Sequence, residues 1–282
     1  MAYQLGWGDN HPGHLVYLID LSASMNIDNR LAELQDVILK VVKYLVKLNK
    51  DDDGDIKEAL TLTIIGYNSD VEIIKSNITV KELKEMRDKA LKEPNGKLLN
   101  VTARWQTYTA KAFDAAAQDI KKWIAQQEKK GIPMPAPIVL HITDGYPYEE
   151  ELKDKPGEAA KKALFAAERL KNISVPDGNT LLFNIHIEPG KDACRFLFNP
   201  PADENQRFLY DASSVLSEDF AARARIALSE FRTEGVNTDE IVGGSRFMVA
   251  NERNKDILVR LIVFGSTVSS RAHYIELAKP NY

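Results

Sequence analysis

"HLVYLIDLSAS", residues 14–24, joins a short apolar run to a run of oxygen-bearing side chains. Residues 14–20 form a short, mostly apolar run with branched and aromatic side chains, which reads as a buried strand. At its end Asp20, Ser22 and Ser24 stand at alternate positions, so in an extended exit loop their side chains lie on one side. Three oxygen groups then converge on one point, at the end of a strand rather than within it.

Outward from this stretch, strand and helix patterns alternate. A helix is expected from about Asn29, with Leu31, Leu34, Ile38, Val41, Val42, Leu45 and Leu48 forming one apolar stripe and Asp28 as its cap. Residues 59–68 and 71–76 read as a hairpin turning at Asn68, Ser69 and Asp70. Amphipathic helices are expected over 79–93, ended by Pro94, Asn95 and Gly96, and over 109–130, ended by Gly131 and Pro133. A second central strand covers 136–145. A helix over 156–171, a strand over 180–188, the short segment "RFLYDA" at 207–212 and a helix over 216–232 complete the order. The alternation predicts an α/β fold, a doubly wound, mostly parallel sheet flanked by helices. One domain is assigned to residues 13–232. Residues 233–282 form a C-terminal extension on or beside it, whose apolar run "DILVRLIVF" (256–264) reads as a final helix or strand covering the core.

Composition narrows the function classes. The chain has 282 residues, 44% hydrophobic and 28% charged, enough to bury a sizeable core. Its net charge of -4 is spread without a basic stretch, which argues against nucleic acid as a partner. No apolar run reaches the roughly 20 residues of a membrane helix, so no membrane partner is expected. The opening residues show neither a basic region nor an apolar core of a secretory leader. A single cysteine, Cys194, rules out an internal disulfide framework. Together these features predict a cytoplasmic protein.

In a doubly wound sheet, ligands bind beyond the carboxyl ends of the strands, where the strand order reverses. Three polar loops are expected at that edge: "DLSAS" after the first strand, "RWQTYT" before the long helix and "TDGYP" after the strand at 136–142. They bring together Asp20, Ser22, Ser24, Thr107 and Asp144. A set of oxygen donors alone favours a hard cation, Mg²⁺ first, with Mn²⁺ or Ca²⁺ as alternatives, over zinc.

"DLSASM", "TYTAKAFDAA" and "ITDGYP" together resemble the metal-ion-dependent adhesion site of von Willebrand factor A (vWA) domains, whose pattern is Asp-x-Ser-x-Ser, then Thr, then Asp. The resemblance covers roughly residues 13–232 and is strongest to intracellular bacterial members associated with tellurite resistance and with protein kinase and phosphatase partners. It implies the Rossmann-like vWA fold, with Ser22, Ser24 and Thr107 coordinating the metal directly or nearly so. Asp20 and Asp144 would act through waters, and one position would stay open for an Asp or Glu of a partner protein. The chain departs from the family in carrying Trp105 and Gln106 where glycines are common before the Thr. Trp105, Tyr108, Tyr146 and Tyr148 are therefore candidates for an aromatic, partner-binding rim.

Other features point to plainer roles. "NKDDDGDIKEAL" (49–60) imitates a calcium loop but has Leu60 in place of the bidentate Glu, and reads as a solvated turn. His141 and His186 fall in apolar strands and read as core residues, Cys194 as an inert small hydrophobe. The alternative function class is a phosphatase-like, metal-dependent hydrolase with Asp20 as nucleophile. The aspartyl-phosphatase arrangement wants a second Asp two residues on, where Ser22 stands, and no phosphate-binding or nucleophile-elbow motif is present. The sequence thus reads as a metal-dependent interaction module with no catalytic residues, in a signalling or stress-response complex.

Overall fold

Each strand of the computed structural model, which describes residues 3–94, 96–188 and 192–267, can be traced to an apolar run bounded by turn-forming residues. In chain order the elements are β1 (Gly13–Asp20), α1 (Arg30–Leu48), β2 (Leu60–Tyr67), β3 (Val71–Thr79), α2 (Val80–Ala90), α3 (Thr109–Lys130), β4 (Ile138–Thr143) and α4 (Pro156–Lys171). There follow β5 (Ser174–Val175), β6 (Gly178–Asn179), β7 (Leu181–His186), β8 (Cys194–Arg195), α5 (Glu204–Ala212), α6 (Glu218–Leu228), β9 (Met248–Ala250) and α7 (Lys255–Thr267). Seven strands form one sheet in the order β3-β2-β1-β4-β7-β9-β8, while β5 and β6 make a separate small hairpin. The interior pairs are parallel and only the two edge pairs, β2 with β3 and β9 with β8, are antiparallel. The fold is a doubly wound α/β sheet.

Strand periodicity explains the two layers. In β1, Leu15, Tyr17 and Ile19 face one way and join the buried side chains of α1, α6 and α7, whereas Val16 and Leu18 face α3, α4 and α5. Both faces are covered, so β1 is buried along its whole length.

Local signals set the helix boundaries. Thr79 and Glu82 form a reciprocal capping box at α2: the Glu82 N–H donates to Thr79 Oγ1 at 3.2 Å, and the Thr79 N–H donates to Glu82 Oε2 at 2.8 Å. Asn95, one of the expected stop signals after this helix, lies outside the described residues. Gly131 ends α3 in the left-handed conformation, with φ of 65°. The cap expected from Asp28 does not form. Asn29 is the N-cap of α1 and makes no side-chain cap bond, because Asp28 and Asn29 are both left-handed, with φ of 51° and 58°. "RFLYDA" lies within α5, started by Asp203, whose Oδ1 accepts the Gln206 N–H.

The segment after residue 232 is woven into the same core. β9 pairs with β7, and the run "DILVRLIVF" is helix, packed between α1 and α6. Phe264 of α7 meets Phe196 and Phe247 edge-on or tilted, with ring centroids 5.9 and 5.7 Å apart, and Phe247 meets Phe183 at 4.4 Å. Contacts of this kind add about 0.5–1.5 kcal/mol each beyond the area they bury. Residues 268–282 of the expected extension lie outside the described residues.

Candidate functional site

From β1 the chain winds to β2 on one side, and β4 flanks β1 on the other. The strand order therefore reverses between β1 and β4, and a crevice opens beyond their carboxyl ends. Asp20 is the last residue of β1 and Thr143 the last of β4, which sets Asp144 just past the edge. The third loop is tied in by backbone bonds. Arg104 N–H donates to the Leu21 carbonyl at 2.8 Å, Ala23 N–H to the Trp105 carbonyl at 2.9 Å, and Tyr148 N–H to the Thr107 carbonyl at 2.9 Å. Thr107 thus lies where all three loops meet.

Asp20 is fully buried. Its Oδ1 accepts the Ser22 N–H at 2.8 Å and its Oδ2 the Thr143 hydroxyl at 2.6 Å. Burial raises its pKa to about 6 and the nearby Asp144 carboxylate adds to the rise, opposed by the hydrogen bonds from Thr143 and Ser22. Ser22 and Ser24 share a hydroxyl contact at 2.9 Å, and Ser24 Oγ donates to Asp144 Oδ1 at 2.7 Å. The other oxygen of Asp144, Oδ2, is held by Arg30 Nη1 at 2.6 Å. The Thr107 hydroxyl has no hydrogen-bond partner among the described residues. A Cβ on Gly145 would come within 3.1 Å of that hydroxyl, so the absence of a side chain there keeps the approach to Thr107 open.

The donor chemistry can be tested against a cation. Among the described residues no group of three or more His, Cys, Asp or Glu side chains is placed to hold a metal. A cation at this edge must therefore draw on hydroxyls as well as carboxylates. Two carboxylates, two linked serines and an unpartnered threonine hydroxyl are a set that a hard, oxygen-seeking ion suits.

The four aromatics of the expected rim are placed very differently. Trp105 is 63% exposed and left-handed, with φ of 67°. It borders a groove of about 580 Å³ lined also by Arg104, Asp70 and Lys111. Tyr108 is buried instead, its hydroxyl accepting the Glu150 N–H at 3.1 Å and its ring covered by Lys111 Nζ at 4.4 Å. Tyr148 donates its hydroxyl to Glu150, and Tyr146 stands edge-on to Phe208 at 6.0 Å. Of the four, Trp105 is the one held out into solvent.

Sequence reasoning overlooked three residues. Thr143, buried at the end of β4, orients Asp20. Tyr67, at the end of β2, donates into a buried chain through His141, Asn184 and Ser213 behind the site. Arg30 is the third, and it did carry a signal: a cation in the first turn of a helix opposes the helix dipole and calls for an acid from elsewhere. His141 is satisfied at both ring nitrogens, as expected of a core residue, and the 49–60 segment is a turn closed by the Asp55 N–H on Asp51 Oδ1.

No protein-family model matches the sequence, and no curated protein matches it. Among solved structures, one similar chain is the manganese-loaded TRAP protein of Plasmodium vivax, at 17% identity and a TM-score of 0.39, covering 64% of this chain and 59% of that one. Another is proximal thread matrix protein 1 of the mussel byssus, at 12% identity and a TM-score of 0.49, covering 93% of this chain and 50% of that one. A third is the vWF domain of the type V pili tip protein Mfa5 of Porphyromonas gingivalis, at 11% identity and a TM-score of 0.46, covering 72% and 87%. The chain thus spans less than two thirds of the first two. These likenesses are distant, and the site stands on the geometry above. No helix among the described residues is long and apolar enough to cross a membrane.

Proposed function

We propose that this chain is a vWA-type interaction module that binds an acidic side chain of a protein partner through a divalent cation. What supports it is the gathering of Asp20, Ser22, Ser24, Thr107 and Asp144, from three loops far apart in sequence, at the point where the strand order reverses, with the Thr107 hydroxyl left unpartnered among the described residues. These five residues would hold the ion, Mg²⁺ first, with Mn²⁺ or Ca²⁺ as substitutes. A bound cation contacted largely by neutral hydroxyls stays electrophilic and accepts a partner's Asp or Glu at its remaining position. Trp105, exposed beside the site, would supply apolar contact to the same partner. Binding is favoured over hydrolysis because both oxygens of Asp20 are buried and already hydrogen-bonded, a poor condition for a nucleophile. The setting we infer is cytoplasmic, in a bacterial complex of the tellurite-resistance type with a protein kinase or phosphatase.

Calorimetry with Mn²⁺ tests the site. Thr107→Val keeps the branched shape and deletes the hydroxyl, and Asp144→Ala deletes a carboxylate. Each folded variant should bind at least about tenfold more weakly than the parent, since each loses an oxygen ligand or the group that orients one. Unchanged affinity in both overturns the assignment.

A further inference from the structure

We propose that Arg30 is an internal counter-ion that holds Asp144 in the cation-free protein and leaves it when a divalent cation binds. The chain would then set its own threshold for cation binding. The inference rests on the cation-site reading above and concerns its regulation.

The Asp144 side chain is wholly withdrawn from solvent, and the Arg30 side chain is 13% exposed. A carboxylate this buried must be neutralised, and the Arg30 guanidinium supplies the charge, Nη1 to Oδ2 at 2.6 Å. Arg30 is the first residue of α1, at the positive end of the helix dipole, where a cation is disfavoured. It is delivered there by two consecutive left-handed residues, Asp28 and Asn29, the side-chain-bearing residue types that adopt this conformation most readily. The pair is also incompletely bonded, because Arg30 Nε is buried without a hydrogen-bond partner among the described residues. A guanidinium held by one nitrogen and against its dipole is easier to release than one in a fully bonded fork.

There is space for it to move. Arg30 also lines a cavity of about 260 Å³ together with Asp28, Glu33, Leu34 and Glu252, a cavity that Asp144 does not line, and whose Glu33 and Glu252 pair with Lys255 and Arg195. The two oxygens of Asp144 are held separately, Oδ1 by Ser24 and Oδ2 by Arg30. An incoming ion therefore needs to displace only Arg30 to win an oxygen, while the serine keeps the carboxylate oriented. A divalent cation and a guanidinium on one buried carboxylate repel each other strongly, so the two occupy it in turn.

Two measurements on the full chain decide the matter. The first is Mn²⁺ calorimetry on Arg30→Gln, which deletes the charge and keeps a hydrogen-bonding side chain. Affinity should rise at least about tenfold over the parent, while the melting temperature in EDTA falls. Equal or weaker Mn²⁺ binding in the folded variant overturns the proposal and leaves the cation site standing. Absence of Mn²⁺ binding in both parent and variant overturns the site and the proposal together. The second measurement needs no variant to fold: the Arg30 Nε–H resonance of the parent should shift on saturation with Mg²⁺. A resonance that stays in place while Mg²⁺ binds shows that Arg30 is not displaced.

Discussion

His141 Nε2 accepts the hydroxyl proton of Tyr67 at 2.6 Å, and the other nitrogen of the ring fixes that direction. His141 Nδ1 lies 2.8 Å from Asn184 Oδ1, which can only accept, so Nδ1 carries the proton. The orientation of the Asn184 amide is set in turn by Nδ2 donating to Ser213 Oγ at 2.7 Å, and Ser213 passes its own proton to the Leu209 carbonyl at 2.7 Å. The chain runs one way, across β2, β4 and β7, and it requires a neutral imidazole.

Burial lowers the pKa of His141 to about 4 from its usual 6.5, against the opposing hydrogen bond to Asn184. Between those values the unfolded chain binds a proton that the folded one refuses. The resulting stability is therefore complete above the unfolded pKa and is lost as pH falls toward the folded one. Urea midpoints of the parent should fall as pH drops from about 7 to about 4.5, and His141→Gln should flatten that decline. The variant should also be less stable near neutrality by about 1–3 kcal/mol, the cost of unpaired Tyr67 or Asn184 groups. Parallel pH profiles in the two proteins would show that His141 carries no such linkage.

Asp20 shifts in the opposite direction. Its carboxyl, raised to about 6 chiefly by burial, holds a proton at pH values where an exposed Asp is ionised. A cation has to compete with that proton, so Mn²⁺ affinity should weaken as pH falls through about 6. Asp20→Asn should bind Mn²⁺ more weakly overall and lose the dependence. The check is calorimetry at matched ionic strength on either side of that pH, and a flat parent profile counts against Asp20 facing the ion.

Trp105 combines exposure with a left-handed backbone, φ of 67°. A side chain in that region costs roughly 1–2 kcal/mol, and glycine escapes the cost while adding freedom to the unfolded chain. Trp105→Gly should thus melt no lower than Trp105→Ala, and both should stay near the parent. A large drop in either would show that the indole supports the loop.

Truncation after residue 232 removes β9 and α7 together. Without them β7 loses its outer neighbour, and the phenylalanine cluster around Phe183 loses Phe247 and Phe264. The shortened chain should show no cooperative thermal transition, and a sharp unfolding curve from it would mean that residues 13–232 fold alone.

Much of this architecture was legible because the signals were local. β1 and β4 are continuous apolar runs, α3 stops at Gly131, and Asp20 and Asp144 fall at or just past strand ends that the topology sets side by side. What stayed hidden depends on side-chain direction over long separations. Arg30 and Asp144 are 114 positions apart, and nothing near either names the other. Tyr108 was no less plausible as a rim residue than Trp105, yet its hydroxyl turns toward the Glu150 backbone and its ring is covered. Aromatic residues occupy surface and interior alike, so their placement follows from neighbouring loops rather than from their identity. For α7 the sequence left helix and strand open for a related reason: a run apolar on every side has no stripe to mark it as helix.

Because the parallel strands are confined to the interior, each border of the sheet is made by an antiparallel strand of a discouraging kind. β8 is two residues long, and β3 carries Glu72 and Lys75, shifts register against β2 and turns left-handed at Asn77. Neither border offers another chain a long, flat, uncharged ladder to copy. Stacking of copies strand to strand into fibrils is thereby discouraged, even in a protein with so much parallel structure. Among the described residues, side chains at the loop ends or on the helices remain as surfaces for self-assembly.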